Sequence, residues 1–252
     1  MADIVALRRR TGSAHGVAEL VRSHGLTGLV RPASAYVPRP EGVGERILPV
    51  LPELRGLFPT GGLRRGSTVA VALPAAAHPR PVGPGAASVL LALLAAASAD
   101  GSWCAVVGLP DLGLVAAAEF GVALDRLALV PDPGTEWPAV VAALLDGVDV
   151  VVVAPPGPVS ATLAGRLAAR ARQRGSVLVP YGPWAGADVV LEAAGGGWSG
   201  LGQGQGRLAR RALVVSRRGR GAAARSRQAT VWIPRTGDLL PPADVPLLEA
   251  AG

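Results

Sequence analysis

The stretch Gly147-Val148-Asp149-Val150-Val151-Val152-Val153-Ala154-Pro155-Pro156 decides the fold class. Its valines form an almost unbroken apolar run over residues 148–153. Such a run, rich in β-branched residues and closed by two prolines, predicts a strand that is covered on both faces. Strands of this type belong to parallel sheets with helices on both sides, so the stretch predicts an α/β fold.

Short β-like runs alternate with longer Ala- and Leu-rich runs on both sides of this stretch. The predicted strands are residues 67–73, 103–107, 127–130, 148–153, 177–179 and 189–192, then a last pair at 212–216 and 230–233. The predicted helices are residues 86–99, 112–120, 136–146 with Thr135 as N-cap, and 160–174 between Ser160 as N-cap and Gly175. This alternation predicts a three-layer core with a mostly parallel central sheet and a C-terminal antiparallel hairpin. The glycine-rich residues 195–206 contain no helix after their glycines, so they predict a flexible or strained connector rather than a dinucleotide-binding turn.

The chain divides into three predicted parts. Residues 1–44 form a helical and proline-rich extension, residues 45–235 form the core, and residues 236–252 form a tail of leucine pairs separated by prolines. We expect only the middle part to bury a sizeable core, because the two ends lack the alternating pattern.

Composition excludes several classes of protein. All 25 basic residues are arginine and the net charge is +7, so no mechanism that needs a lysine is open to this chain. Cys104 is the only cysteine, and the three histidines lack metal-ligand spacing, so we expect no intrachain disulfide and no metal site. The longest apolar run, residues 86–99, is shorter than the ~20 residues of a membrane span. Without a signal-like segment either, a cytoplasmic protein is expected.

The expected phosphate-binding turn has lost its chemistry. In an α/β fold that turn joins the first strand to the first helix, and here it spans residues 74–85. Gly83 and Gly85 stand near the positions of P-loop glycines, but Ala87 and Ser88 follow and no lysine does. The valine strand ends in Ala154 rather than in the aspartate that would hold Mg²⁺. These losses predict a protein that is not an enzyme and carries no cofactor.

The order of these segments resembles bacterial RecA over residues 49–234. Residues 61–66 resemble the glycine turn before RecA's first core strand, and residues 103–107 resemble the strand before its catalytic glutamate, whose place Pro110 takes beside Asp111. Residues 120–127 and 147–153 resemble two later passages, the second of which ends in the family's Mg²⁺ aspartate, here Ala154. The resemblance implies a RecA-like core with a degenerate P-loop.

The glycine turn, the degenerate P-loop and the basic hairpin 216–225 together resemble the actinobacterial ImuA-type proteins more narrowly. That resemblance implies a non-catalytic accessory protein of the DNA-damage-induced mutasome. Its implied partners are a Y-family-like adaptor of the ImuB type and an error-prone replicative-type polymerase in translesion synthesis. It also leaves open an association with the nucleoid after DNA damage.

Two segments are candidates for contact with partners. The hairpin carries arginines suited to DNA phosphates or to acidic protein surfaces, or serves only as a solubilising tip: Arg217, Arg218, Arg220, Arg225 and Arg227. The tail carries apolar residues that dock either on the core or on a partner: Leu239, Leu240, Val245, Leu247 and Leu248.

Three other functions remain open at this point. The first is a SulA-type cell-division inhibitor that binds the division tubulin homologue. The second is a divergent RecA-like protein that binds ATP through Arg80 or through a partner's residue. The third is a plain DNA-binding module, whose affinity would fall steeply with salt.

Overall fold

A computed structural model describes residues 47–72, 85–194, 198–202 and 205–233. The predicted extension (1–44) and tail (236–252) lie outside these ranges, as does most of the turn between the first strand and the first helix. The described residues thus fall within the predicted core.

Four parallel strands form one half of the central sheet. They are β4 Cys104–Val107, β5 Leu127–Val130, β6 Val150–Val153 and β7 Val177–Pro180. They lie in the order β5, β4, β6, β7, and every residue of β4, β6 and β7 is buried. The valine run is thus a central strand, covered on both faces as its composition predicted.

The other half of the sheet turns antiparallel towards its edge. Its strands are β3 Val69–Ala72, β8 Val189–Ala194, β9 Trp198–Gly202, β10 Gln205–Gly219 and β11 Arg227–Ile233. Strand β3 runs parallel to β8, and β8 runs antiparallel to β10. Strand β10 also runs antiparallel to β11, and its first part pairs with β9. Parallel bridges from Thr68 to Leu178 and from Val71 to Tyr181 join this half to β7.

Helices cover both faces of the parallel half. Helices α1 (Ala86–Ala99) and α2 (Leu114–Glu119) contribute to a large apolar core on one face. Helices α3 (Trp137–Leu145) and α4 (Ala161–Arg174) contribute to a second core on the other. Helix α1 buries residues all around its circumference, because its Ala and Leu side chains give it no polar face.

A short segment precedes β3 and completes the first core. Strands β1 (Ile47–Leu48) and β2 (Leu63–Arg64) pair antiparallel, and the 3₁₀ helix Pro52–Leu57 between them packs against β11. Two further 3₁₀ turns, Leu124–Arg126 and Gly221–Ala223, precede β5 and join β10 to β11.

The mixed α/β fold, its parallel sheet and its antiparallel hairpin are confirmed. Helix α1 and strand β5 have the predicted bounds, and α4 begins after Ser160, whose hydroxyl accepts a hydrogen bond from the Leu163 amide, and ends at Gly175. The Thr135 cap was wrong, because Glu136 occupies the N-cap position of α3 without a side-chain hydrogen bond.

The prediction of a flexible connector over residues 195–206 was also wrong for the residues described there. Its described residues belong to β9 and to the start of β10, whose backbone groups pair with each other. Glycine lowers strand propensity, but ladder hydrogen bonds to a neighbouring strand override that local preference here.

Candidate partner-binding surface

The edge at which the parallel strands end, called the carboxyl edge below, would hold nucleotide in a P-loop protein. Gly83 lies outside the described residues. Gly85 has a φ of 108° at the N-cap of α1, and a Cβ there would come within 2.6 Å of the Leu213 side chain. Ala87 is exposed and Ser88 half-buried in the first turn of α1. Gly85 therefore lets the helix pack closely on β10.

Backbone atoms meet where β4 and β6 end. Ala154 follows β6, and its amide donates to the Val107 carbonyl at 2.9 Å. Gly108 follows Val107 at the end of the adjacent strand β4. It has a φ of 79°, and a Cβ on it would lie 2.3 Å from the Ala154 carbonyl oxygen. The two strand exits thus contact each other directly. Asp111 and Asp132, which follow β4 and β5, are both exposed.

The arginines of the hairpin do not form one exposed cluster. Arg217 lies within β10 and is only 2% exposed, and its Nη2 donates to the Arg225 carbonyl. Arg218 pairs with Glu192 of β8, which is mostly buried. Burial thus separates Arg217 from the exposed arginines of the hairpin, and its contact role stays a prediction.

Burial also affects the pKa of this arginine. Desolvation lowers the pKa of the Arg217 guanidinium, and the positive charge of Arg227 lowers it further. Its Nε has no hydrogen-bond partner in the described part of the chain. A buried cation with an unpaired donor costs stability, so Arg217 is a weak point of the hairpin.

The remaining hairpin arginines lie near the tip, which we define as residues 219–226. Arg220 donates to the Gly186 carbonyl, and Arg227 donates to the Gly56 carbonyl at 3.4 Å. Arg220, Arg225 and Arg227 are all exposed. Strand β10 runs antiparallel to β8, with Gly219 opposite Val189, so the tip lies where the parallel strands begin. We call this side of the sheet the amino edge.

Sequence reasoning missed that other arginines converge on the same edge. The turn before β3 places Arg65 against Asp149 at 2.8 Å, and its Nη1 donates to the Gly175 carbonyl at the end of α4. Helix α4 ends at this edge with Arg170 and Arg174, which both bind Asp146 at the end of α3. The sequence pattern could have predicted this position, because a helix between two parallel strands ends at the edge where the next strand begins.

Hydrogen bonds from Arg170 lower the pKa of the Asp146 carboxyl. They are the main cause of its low pKa, and the charges of Arg170 and Arg174 lower the pKa further. Asp146 is therefore ionised at neutral pH and holds the ends of α3 and α4 together. The amino edge is basic overall, with exposed guanidinium groups beside these paired ones.

A cavity of about 410 Å³ opens on the amino edge between the glycine turn (residues 61–66) and the hairpin tip. Its lining combines apolar side chains from Phe58, Val69, Val189 and Ala223 with polar groups from Arg64, Asp188 and Arg220. The Asp188 carboxylate accepts a hydrogen bond from the Thr68 amide at 2.9 Å. The cavity lining thus combines apolar residues with two arginines and one aspartate.

Two further properties bear on the class of protein. Within the described ranges, no helix combines the length and the apolar character that a membrane span requires. The same residues contain no group of three His, Cys, Asp or Glu side chains arranged to hold a metal ion.

Comparison with known proteins places the chain in a family. Residues 56–186, more than half of the chain, match the MT3502 N-terminal domain. The uncharacterized protein Rv3395c of Mycobacterium tuberculosis is 44% identical over 138 residues, which are 53% of this chain and 68% of that protein. The family match includes the glycine turn and the parallel half of the sheet, and it ends before β8 and the hairpin tip. The chain belongs to the MT3502 N-terminal domain family.

Proposed function

We propose that this protein is a RecA-like, ImuA-type accessory protein of a DNA-damage-induced mutasome, and that it acts through protein contacts without catalysis. The observation that carries the proposal is the meeting of the two central strand exits. A mostly parallel sheet that closes on an antiparallel hairpin supports the RecA-like core, and the Gly108–Ala154 contact leaves backbone where a RecA-type ATPase needs a metal carboxylate.

The absence of lysine supports the non-catalytic part of the proposal. Phosphoryl transfer by P-loop proteins depends on a lysine at the β and γ phosphates and on a carboxylate that anchors Mg²⁺. This chain has no lysine at all, and Ala154 stands where the carboxylate would be. Losing both groups removes the stabilisation of charge in the transition state, and binding of partners remains the function that the fold can serve.

The amino edge is the surface that we assign to contact with other components of the mutasome. Arg220, Arg225 and Arg227 are exposed there, and guanidinium groups bind carboxylates and phosphates alike. A Y-family-like adaptor of the ImuB type and an error-prone replicative-type polymerase are the proposed partners, in the cytoplasm and at the nucleoid after DNA damage. The tail, with Leu239 and Leu247, is proposed as a second docking segment and lies outside the described residues.

Deletion of the gene in the native host tests the proposal. We expect the deletion strain to lose most of its ultraviolet-induced mutations and the full chain to restore them. An unchanged induced-mutation frequency would contradict the mutasome role, and filamentation that depends on this protein would favour the division-inhibitor alternative.

The non-catalytic part needs a separate measurement on purified protein. We expect no saturable, Mg²⁺-dependent binding of ATP by equilibrium dialysis. Saturable binding that Arg80→Ala abolishes would contradict this part and would favour the divergent ATP-binding protein.

A further inference from the structure

We propose that the cavity between the glycine turn and the hairpin tip is a preformed pocket for an acidic side chain and its apolar neighbour on a partner protein. The inference deepens the proposed function, because it rests on the assignment of this edge to protein contacts and adds the chemistry of the partner. It concerns the part of the amino edge that has both depth and charge.

The floor of the pocket favours an apolar group. Phe58, Val69, Val189 and Ala223 line it, and each of them is buried, with exposed fractions between 1% and 6%. A volume of about 410 Å³ lies within the range of small-molecule pockets, which suits one or two side chains of a docked peptide. An apolar side chain placed against this floor would lose its own contact with water.

The rim favours a carboxylate. Arg64 and Arg220 both line the cavity, and within the described residues neither of them lies within ion-pair distance of a carboxylate, although Nη2 of Arg220 donates to the Gly186 carbonyl. The single acid of the lining, Asp188, is engaged by the Thr68 amide. Two arginines against one aspartate leave the lining with a net positive charge, which an incoming carboxylate would neutralise.

The walls are held in place by close backbone approaches. A Cβ at Gly219 would lie 2.4 Å from the Asp188 carbonyl oxygen and 2.7 Å from the Ala223 Cβ, so the hairpin tip is fixed against the start of β8. A Cβ at Gly62 would lie 2.4 Å from the Leu48 carbonyl oxygen, which fixes the opposite wall. A pocket that exists before binding loses less conformational entropy when a ligand enters.

The same features argue against nucleic acid as the occupant of the pocket. Binding of single strands relies on exposed aromatic rings on which bases stack. The one aromatic side chain of this lining, Phe58, is only 6% exposed. A peptide that carries leucine beside glutamate or aspartate matches both the apolar floor and the basic rim.

Fluorescence anisotropy of the full chain tests the inference with a labelled acidic peptide, Gly-Asp-Leu-Leu-Glu-Asp-Gly, and its neutral Asn/Gln counterpart. We expect saturable binding of the acidic peptide and at least tenfold weaker binding of the neutral one, because each lost charge-assisted hydrogen bond weakens binding by about that factor. Equal binding of both peptides, or of neither, would overturn the inference.

Two variants and one control assign the binding to the pocket. Arg64→Gln removes one guanidinium, and Ala222→Trp fills the mouth of the pocket from an exposed position of its lining. Arg166→Gln removes an equal charge from an exposed position of α4 outside the lining. We expect tenfold or greater losses for the first two with unchanged melting temperatures, and an unchanged affinity for the control.

Other outcomes separate this inference from the proposed function. Equal losses in all three variants would mean unspecific attraction to a basic protein, and a labelled oligothymidine that displaces the peptide would mean a nucleic-acid site; each would overturn the inference. If the peptide fails to bind while the deletion strain still loses induced mutations, only the pocket assignment fails. If the peptide binds and mutation is unaffected, the pocket stands and the mutasome role fails.

Discussion

Replacing Gly108 by alanine should destabilise the core more than the same change at a left-handed glycine that has free space around it. Gly108 combines a φ of 79° with a Cβ position 2.3 Å from the Ala154 carbonyl oxygen. The left-handed conformation costs an alanine about 1–2 kcal/mol. Overpacking against a backbone atom that cannot rotate away adds about 1–3 kcal/mol. We therefore expect the free energy of unfolding to fall by about 2–5 kcal/mol, against a typical total of about 5–15 kcal/mol.

Gly134→Ala is the matched control for this substitution. Gly134 has a φ of 67°, but a Cβ there would meet nothing within 4 Å. Both variants pay the conformational cost and only Gly108→Ala creates the close contact, so their difference measures the contact alone. Thermal unfolding followed by circular dichroism should place the melting temperature of Gly108→Ala about 2–12 °C below that of the control. Equal melting temperatures would refute the claim that the two strand exits are in direct contact.

Three further predictions concern buried and paired side chains. Arg217→Met should leave the free energy of unfolding unchanged or raise it by about 1 kcal/mol, because a buried cation is exchanged for an apolar group of similar length, and Arg225, whose carbonyl loses its donor, is an exposed residue. A large decrease in the free energy of unfolding, measured by chemical denaturation, would contradict this. Asp146→Asn should lower stability at pH 7. The deficit should begin to shrink below about pH 4 and be lost as the pH falls through the lower pKa of the folded protein, because Asp146 contributes only while its carboxyl is ionised. A deficit that does not shrink as the pH falls would contradict the pairing with Arg170. Burial, assisted by the charge of Asp149, raises the pKa of the Cys104 thiol to about 12. Iodoacetamide at pH 8 should therefore leave Cys104 unmodified in the folded protein and alkylate it in denaturant. Mass spectrometry of the two samples would show the difference.

The sequence allowed close prediction of elements whose causes are local. Helix α1 is a long Ala- and Leu-rich run, and α4 lies between a serine cap and a glycine, so both could be predicted at their observed bounds. Strand β6 could be predicted from its valines alone.

Elements whose causes are distant along the chain could not be predicted. Strand β10 extends over Gln205–Gly219 through glycine-rich sequence because it pairs with β8, β9 and β11. Arg217 is buried because its position in that ladder turns it towards the core, which no local arginine-rich pattern indicates.

The candidate site was predicted only in part. The hairpin was identified by its arginines, of which Arg220, Arg225 and Arg227 are exposed near the tip. The pocket was not predicted, because its walls come from the glycine turn and from the hairpin tip, which are separated by about 150 residues of chain and meet only through the register of β3, β8 and β10.

The most direct test of the account is to purify the tagged full chain from its native host after DNA damage and to identify what accompanies it by mass spectrometry. We expect a Y-family-like adaptor to be recovered in amounts comparable to the bait, to be reduced by Arg64→Gln and to be unaffected by Arg166→Gln. Recovery of division proteins, of nucleic acid alone, or of no partner would contradict a protein that works by contacts within the mutasome.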